Sequence, residues 1–114
     1  MSLAFEERGG ATVVRLSGRL TLGPALEDLR NSVEALLADG RSAIVLDLDE
    51  LSYIESAGLG EIVACRRLVR EGGGRLVLAR PRGKVRDVVQ LTRIDQLIET
   101  FSGLDEALRA VCAG

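Results

Sequence analysis

The chain has 114 residues, of which 46% are hydrophobic and 28% charged, a composition typical of one globular domain with a proper core. Its net charge of −2 gives no case for binding nucleic acid or a membrane surface. Histidine is absent, which excludes a Ser-His-Asp triad, a Cys-His dyad and histidine metal sites, and 3% aromatic residues disfavour stacking platforms for single-stranded nucleic acid. With no signal peptide and no apolar run of about 18 residues, we expect a cytoplasmic protein.

The hydrophobic pattern predicts strands and helices in the order β-β-α-β-α-β-α-β-α. Short apolar, β-rich runs predict five strands, over residues 3–7, 11–16, 44–48, 76–79 and 97–101. Apolar residues at helical spacing predict four helices. The first three begin at Pro24, Ser56 and Pro81, and the fourth covers residues 104–111. The finer expectations are a two-glycine turn at Gly9-Gly10, a loop over residues 18–23, an inward-facing Leu91 and an N-cap at Ser102.

This order of elements predicts an α/β fold in a single domain over residues 1–114. We expect a mostly parallel sheet of about five strands, with an antiparallel hairpin at one edge. Because parallel crossovers are almost always right-handed, helices that connect neighbouring strands fall on the same side, so we expect about four helices on one face. Leu46 and Leu48 should then belong to a central parallel strand. The apolar positions of these elements are core, and we assign them no function.

Residues 44–60 contain the most apolar predicted strand, followed by a helix start that is rich in small residues. The strand is apolar except for two aspartates near its end, which is typical of a strand buried on both faces. A polar turn is expected next, and Ser56 suits the N-cap position of the helix because its hydroxyl accepts a backbone N–H. Since Gly58 and Gly60 are poor helix formers, their presence in a first turn suggests that something approaches this backbone closely.

Three roles are open to Ser56 from the residues alone. A structural N-cap would contribute about 1 kcal/mol. A nucleophile is disfavoured, because the nucleophile elbow is G-x-S-x-G whereas this segment is S-x-G-x-G, and the chain has no histidine base. A phosphate acceptor is the third role: phosphate adds a charge of about −1.5 to −2, which the free amides of a helix start tolerate.

The segment E-S-A-G-L-G, after I-V-L-D-L-D-E-L-S-Y-I, resembles the D-S-S-G-L-G segment of STAS domains, most closely that of the bacterial anti-sigma factor antagonists. Further similar stretches are G-R-L-T near the start, V-L-D-L in the middle strand, G-G-R-L-V-L-A after the second helix and L-D-E-A-L near the end. The resemblance therefore extends over nearly the whole chain. It implies a superhelix of strands and helices rather than a doubly wound sheet.

By this resemblance Ser56 corresponds to a serine that is phosphorylated by a partner kinase, which is also the anti-sigma factor. The unphosphorylated antagonist binds this kinase and frees a sigma factor, the phosphorylated form does not bind, and a serine phosphatase restores binding. The implied partner-binding residues are Thr21, Glu55, Ser56, Ala57, Gly58, Leu59 and Gly60. The kinase supplies the ATP chemistry, which fits the absence of a Walker motif in this chain. We expect no enzymatic activity, no cofactor and no metal. We also expect no nucleic-acid or membrane partner.

Two positions depart from the family pattern. Glu55 stands where the antagonists usually have Asp, which keeps the charge and adds a methylene. Thr21 stands where many antagonists have an acidic residue. Both positions bear on the efficiency of phosphorylation and on the identity of the partner. From the residues alone, Glu55 has a simpler interpretation as a charge that pairs with the helix dipole, worth some tenths of a kcal/mol.

Two other functions remain open. One is a non-phosphorylated STAS subunit of another assembly, such as a lipid-transport complex or a stress sensor, and the other is a small-molecule or nucleotide binder that uses the glycine-rich helix start.

Charge is uneven along the chain. Nine acidic residues over 25–61 and eight basic residues over 66–86 indicate either solvated faces or a partner patch. Cys65 and Cys112 lie on predicted helix faces, where we favour buried free thiols over a disulfide.

Overall fold

Residues 1–113 are described by the computed structural model, and they form a five-stranded sheet with helices on both of its faces. The strands are β1 (Ser2–Arg8), β2 (Ala11–Leu20), β3 (Ala43–Ile54), β4 (Arg75–Ala79) and β5 (Thr100–Phe101). The helices are α1 (Pro24–Ala38), α2 (Ser56–Glu71), α3 (Gly83–Thr92) and α4 (Leu104–Cys112), and a short 3-10 helix covers Ile94–Gln96.

The strands lie in the order β1-β2-β3-β4-β5, so each strand neighbours the next one along the chain. β1 and β2 are antiparallel and are joined at Gly9 and Gly10, whose φ angles of 57° and 91° favour glycine. The other pairs are parallel, and Leu46 in β3 lies opposite Val14 in β2 and Leu78 in β4. Leu46 is fully buried. The predicted mixed sheet, its edge hairpin and its central strand are therefore confirmed.

The expectation that all helices lie on one face is wrong for α4. Side chains alternate along β3, so Leu46 faces the core made with α1, α2 and α3, whereas Val45 faces the opposite side. Helix α4 covers that second side with Ala107 and Val111. The handedness rule applies only to helices that connect two parallel strands. Because α4 follows the last strand, the rule does not decide on which face of the sheet it lies. Its position is decided instead by the second apolar face of the sheet, which must also be covered.

Two strands are longer than the sequence predicted. β3 continues through the expected polar turn as far as Ile54, and β2 continues into the expected loop as far as Leu20. The two extensions pair with each other, Leu20 lying opposite Ile54, with register shifts between Arg15 and Ser17 and after Gly18. Pairing between distant segments has overridden the local polar pattern. As a result, the end of β2 lies beside the start of α2.

The region between α3 and α4 differs most from the prediction. The strand expected over 97–101 is reduced to the two residues of β5 and is preceded by the 3-10 helix. Leu91, expected to face inward, is 84% exposed, and Leu97 is 57% exposed. The N-cap of α4 is Gly103 rather than Ser102. Propensity predicted an ordinary strand here, but only two residues find partners in β4.

Helix α3 begins at Gly83 rather than at Pro81.

Both cysteines are free, but only Cys65 is buried as expected, since Cys112 is exposed. Burial, together with the nearby Glu61 carboxylate, raises the pKa of the Cys65 thiol to about 12, so this thiol stays protonated at neutral pH. In the part of the chain that the structure describes, no helix is long and apolar enough to cross a bilayer.

Candidate functional site

Ser56 lies on the surface as the first residue of α2, directly after β3 ends at Ile54. The N-cap is Glu55, whose extended backbone (φ −113°, ψ 176°) turns the chain from strand into helix. The prediction of a serine at the surface of a helix start is confirmed, whereas its assignment as the N-cap is wrong by one position. Because β3 runs on to Ile54, the single residue Glu55 makes the whole connection.

Glu55 joins the start of α2 to the loop between β2 and α1. Its Oε1 accepts a hydrogen bond from the backbone N–H of Leu22 at 2.5 Å. Its own N–H donates to the carbonyl of Leu20 at 3.3 Å. The two bonds hold together chain segments that are more than thirty residues apart, the first spanning 33 residues. Glu55 therefore has a positioning role that the helix-dipole interpretation did not include.

The loop held by this carboxylate carries an exposed apolar side chain, Leu22, which is 76% exposed. Thr21 beside it is half-buried. Both residues, with Arg19, line a cavity of about 340 Å³. Leu22 was not among the predicted partner-binding residues. Its signal in the sequence is an apolar side chain in a predicted loop, outside every predicted strand and helix.

Gly58 is buried, and the fold itself requires glycine there. A Cβ at this position would lie 2.7 Å from the carbonyl oxygen of Leu20 and 2.9 Å from Cγ1 of Ile54. The close approach expected at these glycines is thus made by the ends of the protein's own strands. Leu59 is also buried, at 7% exposure, and packs in the core. Gly58 and Leu59 were expected on the partner-binding surface, but they face inward and hold α2 on the sheet.

Gly60 differs from Gly58, since it is exposed and a Cβ there would meet no atom within 4 Å. Packing gives no reason for glycine, which destabilises a helix interior by about 0.5–1 kcal/mol relative to alanine. Gly60 follows Ser56 by four positions, so both lie on the same helix face. Of the residues predicted to bind the partner, the structure leaves five exposed or half-buried, which are Thr21 after the end of β2, and Glu55, Ser56, Ala57 and Gly60 at the start of α2.

The start of α2 favours an added negative charge. The first amides of a helix have no acceptors within the helix, and the macrodipole places partial positive charge at this end. The first turn of α2 contains no acidic residue that would already balance this charge. Glu55 is the adjacent carboxylate, but its Oε1 is bonded to the Leu22 amide in the neighbouring loop. The helix start is therefore able to accommodate a phosphate on Ser56.

The two aspartates of β3 are engaged in ion pairs away from Ser56. Asp47 is 1% exposed and accepts hydrogen bonds from Arg80 at 2.6 and 3.1 Å, with Arg15 Nε at 3.5 Å. Asp49 pairs with Arg82 at 3.0 Å. Removing the partners of a buried carboxylate is strongly destabilising, so Arg80 and Arg15 have a structural role beside Asp47. A cavity of about 430 Å³ beside them is lined by charges of both signs.

Comparison with known proteins identifies one family. The STAS domain model matches residues 2–107. The anti-sigma F factor antagonist of Lysinibacillus sphaericus is 31% identical over 81 residues, which cover 70% of this chain and 68% of that protein. The relative and the family model agree with the resemblance inferred from the E-S-A-G-L-G segment.

Solved structures agree with the same assignment. An anti-sigma factor antagonist from Mycobacterium paratuberculosis superposes with a TM-score of 0.83 at 29% identity, covering 96% of this chain and 92% of that one. SpoIIAA, the Bacillus cell fate determinant, shares the fold in its unphosphorylated form, with a TM-score of 0.74 at 23% identity and coverage of 99% and 100%. Its phosphorylated form gives a TM-score of 0.71 at 24% identity and coverage of 96% and 99%.

Proposed function

The chain belongs to the STAS domain family, and we propose that it acts as an anti-sigma factor antagonist that is switched off by phosphorylation of Ser56. The observation that carries the proposal is the position of Ser56, exposed at a helix start one turn before a glycine that packing does not require. The names of its relatives supply the class of partner. The proposed role is binding, with no catalytic step performed by this chain.

The docking surface consists of Thr21, Leu22, Ser56, Ala57 and Gly60. Leu22 provides exposed apolar area, and apolar side chains that become buried on association supply much of the binding free energy. Gly60 leaves the helix backbone open to close approach. The Glu55 carboxylate holds Leu22 next to the start of α2, which presents the two parts of the surface as one preorganised unit.

Phosphorylation would change this surface more than it changes the fold. A phosphate adds a charge of about −1.5 to −2 beside the neutral hydroxyl position, and the helix start accommodates it. A partner fitted to a neutral surface would meet an unpaired charge on docking, which typically costs about 2–5 kcal/mol. The carboxylate of Glu55 is a like charge on the preceding residue, so the phosphate would also oppose the contact that holds Leu22.

The proposed partners are an anti-sigma factor with serine kinase activity and a serine phosphatase that reverses its action. The kinase would bind ATP and transfer its γ-phosphoryl group to the Ser56 hydroxyl, which loses its proton, and ADP would be released. Since sigma factors act on RNA polymerase, the proposal places this exchange in the cytoplasm. Of the two glycines on which the small-molecule alternative depends, Gly58 faces the ends of β2 and β3, which leaves Gly60 as the one open to an approaching ligand.

The proposal is tested by titration calorimetry of the wild type, Ser56→Ala, Ser56→Asp and the phosphorylated protein against a cognate anti-sigma kinase. Ser56→Ala should bind like the wild type, and Ser56→Asp should bind roughly 30-fold to several thousand-fold more weakly, equivalent to about 2–5 kcal/mol. The phosphorylated protein carries more charge and should bind more weakly still. All four forms should melt cooperatively, because an acidic residue at a helix start is well tolerated.

Ser102→Asp is the matched control, since Ser102 is also an exposed serine in a connection that precedes a helix. It should bind the kinase with wild-type affinity. Equal affinity of the folded wild type, Ser56→Asp and phosphorylated proteins would overturn the switch. That result would favour the alternative of a constitutive STAS subunit in another assembly, in which Ser56 is not a phosphorylation site.

A further inference from the structure

The exposed face of α2 continues beyond Gly60 into a groove with arginines on its rim. The groove has a volume of about 500 Å³ and lies between α2 and the segment that precedes β5. Its lining residues, called the arginine groove below, are Val63, Arg66, Arg67, Arg70, Glu71 and Leu97. None of these residues belongs to the docking surface proposed above.

The three arginines of the groove carry positive charge that the described part of the chain does not neutralise. Within residues 1–113 none of them forms a salt bridge, whereas Arg75 on the following strand is paired with Glu99 at 2.6 Å. Like charges three or four residues apart repel on a helix, and Arg70 has such spacing to both Arg66 and Arg67. The helix dipole favours Arg70 in the last turn, but it does little for the two arginines before it.

Between these cations the groove has an apolar floor. Leu97 is 57% exposed, although its backbone is fixed by its surroundings. Its N–H donates to the Ile94 carbonyl at 2.9 Å, and Ile98 next to it is fully buried. Val63 is half-buried and packs against the core. The fold therefore holds an apolar side chain outward at a defined position beside three unpaired cations.

From this arrangement we infer that the arginine groove binds an acidic amphipathic helix of a partner protein. The helix would place apolar side chains on Val63 and Leu97 and carboxylates against the guanidinium groups of Arg66, Arg67 and Arg70. Amphipathic helices bind apolar grooves in this way, and arginine suits carboxylate recognition because its planar group donates two parallel hydrogen bonds. The complementarity of charge selects an acidic partner over a neutral or basic one.

Two other occupants fit the groove less well. A membrane-binding surface needs several apolar side chains that project into the lipid, but here Leu97 is the one exposed apolar residue of the groove, and Val63 is half-buried against the core. A single-stranded nucleic acid would need aromatic side chains for stacking, and no aromatic residue lines the groove. The net charge of −2 also repels an anionic membrane or a nucleic acid at long range, whereas one short acidic helix contacts only the local positive patch.

The inference is tested with a fluorescein-labelled acidic peptide of about four helical turns, in which leucines follow the i, i+3, i+4 pattern and glutamates fill the other face. Fluorescence anisotropy should show saturable binding that weakens as salt is raised. The doubly substituted Arg67→Glu/Arg70→Glu protein should bind roughly 10-fold more weakly or worse, and Leu97→Ser should reduce affinity several-fold. A peptide with the same composition in scrambled order should bind weakly, because its apolar residues no longer share one face.

The chain offers matched controls for both changes. Arg86→Glu/Arg109→Glu alters the net charge equally at two other exposed helical arginines, and Leu91→Ser removes another exposed leucine. Both controls should bind the peptide within about twofold of the wild type. Ser56→Asp should do the same, since Ser56 and Val63 are roughly 10 Å apart along the helix axis. Failure of the kinase experiment and failure of this one are therefore distinguishable.

Several results would overturn the inference. Affinity that falls as much in the charge-matched control as in Arg67→Glu/Arg70→Glu would show non-specific attraction, and absence of saturable binding would show that the groove accepts no such helix. Binding of phosphatidylserine vesicles that depends on Arg67 and Arg70 would assign the patch to a membrane. Self-association in sedimentation experiments, lost in the same double variant, would assign it to a second copy of the chain.

Discussion

The two ends of helix α2 lie on one exposed stripe, but they differ in the charge of their side chains. Ser56, Gly60, Val63, Arg67 and Arg70 follow the spacing of a single helix face. At the first end, the helix residues Ser56, Ala57 and Gly60 carry no charge, and the adjacent Glu55 carboxylate is bonded to the neighbouring loop. At the second end, three arginines are left without salt bridges in the described residues and surround an exposed leucine.

This difference shows how one helix is suited to two kinds of recognition. A single phosphate at the first end changes the neutral hydroxyl of Ser56 into an anion, and the helix dipole tolerates that change. At the second end the charge is permanent, since arginine does not lose its proton near neutral pH. We therefore expect the first end to give conditional binding and the second to give constitutive binding.

The largest effect is expected from Leu46→Asp, which breaks the sheet on which both ends of α2 rest. Leu46 is fully buried between β2 and β4, and an aspartate there would place an unpaired carboxylate in the core. The change should cost several kcal/mol, a large share of the stability of a small domain, and should prevent folding. Circular dichroism and a thermal melt measure this; a cooperative melt near the wild-type temperature would contradict the assignment of the central strand.

A pair of glycine substitutions separates structural from functional glycine at the first end. Gly58→Ala places a Cβ 2.7 Å from a backbone oxygen of Leu20, so we expect a loss of about 1–3 kcal/mol in unfolding free energy. Gly60→Ala has open space and should stabilise the protein by about 0.5–1 kcal/mol, while weakening binding of the kinase. Urea unfolding provides both numbers. A Gly58→Ala protein as stable as the wild type would mean that Gly58 does not pack as described, and destabilisation by Gly60→Ala would contradict the open space at Gly60.

A smaller loss of stability than that of Leu46→Asp or Gly58→Ala is expected from Glu55→Ala, which removes the hydrogen bond donated by the Leu22 amide. Such a bond contributes about 0.5–1.5 kcal/mol, so folding should survive while Leu22 loses its fixed position. Amide hydrogen exchange at Leu22 should accelerate, and affinity for the kinase should fall. Glu55→Gln keeps an acceptor oxygen at the same reach and should restore both properties in large part. Unchanged exchange at Leu22 in Glu55→Ala would show that the carboxylate does not position the loop.

Much of the fold could be predicted because its pattern is local. Apolar runs located the strands around Leu46 and Val77, the spacing of Leu29 and Val33 located α1, and two glycines located the hairpin turn. The prediction failed where pairing between distant segments decides the outcome. The extension of β3 to Ile54 depends on β2, and the shortening of β5 depends on how few of its residues reach β4.

The sequence by itself determined the family, the sheet with its edge hairpin, and the placement of an accessible serine at the start of a helix, because strand and helix periodicity and a short motif are properties of neighbouring residues. Only the tertiary structure decided that Gly58 and Leu59 face inward, that Glu55 holds the Leu22 loop, and that α4 covers the second face. Each of these depends on contacts between segments far apart in the chain, and local propensity does not specify such contacts.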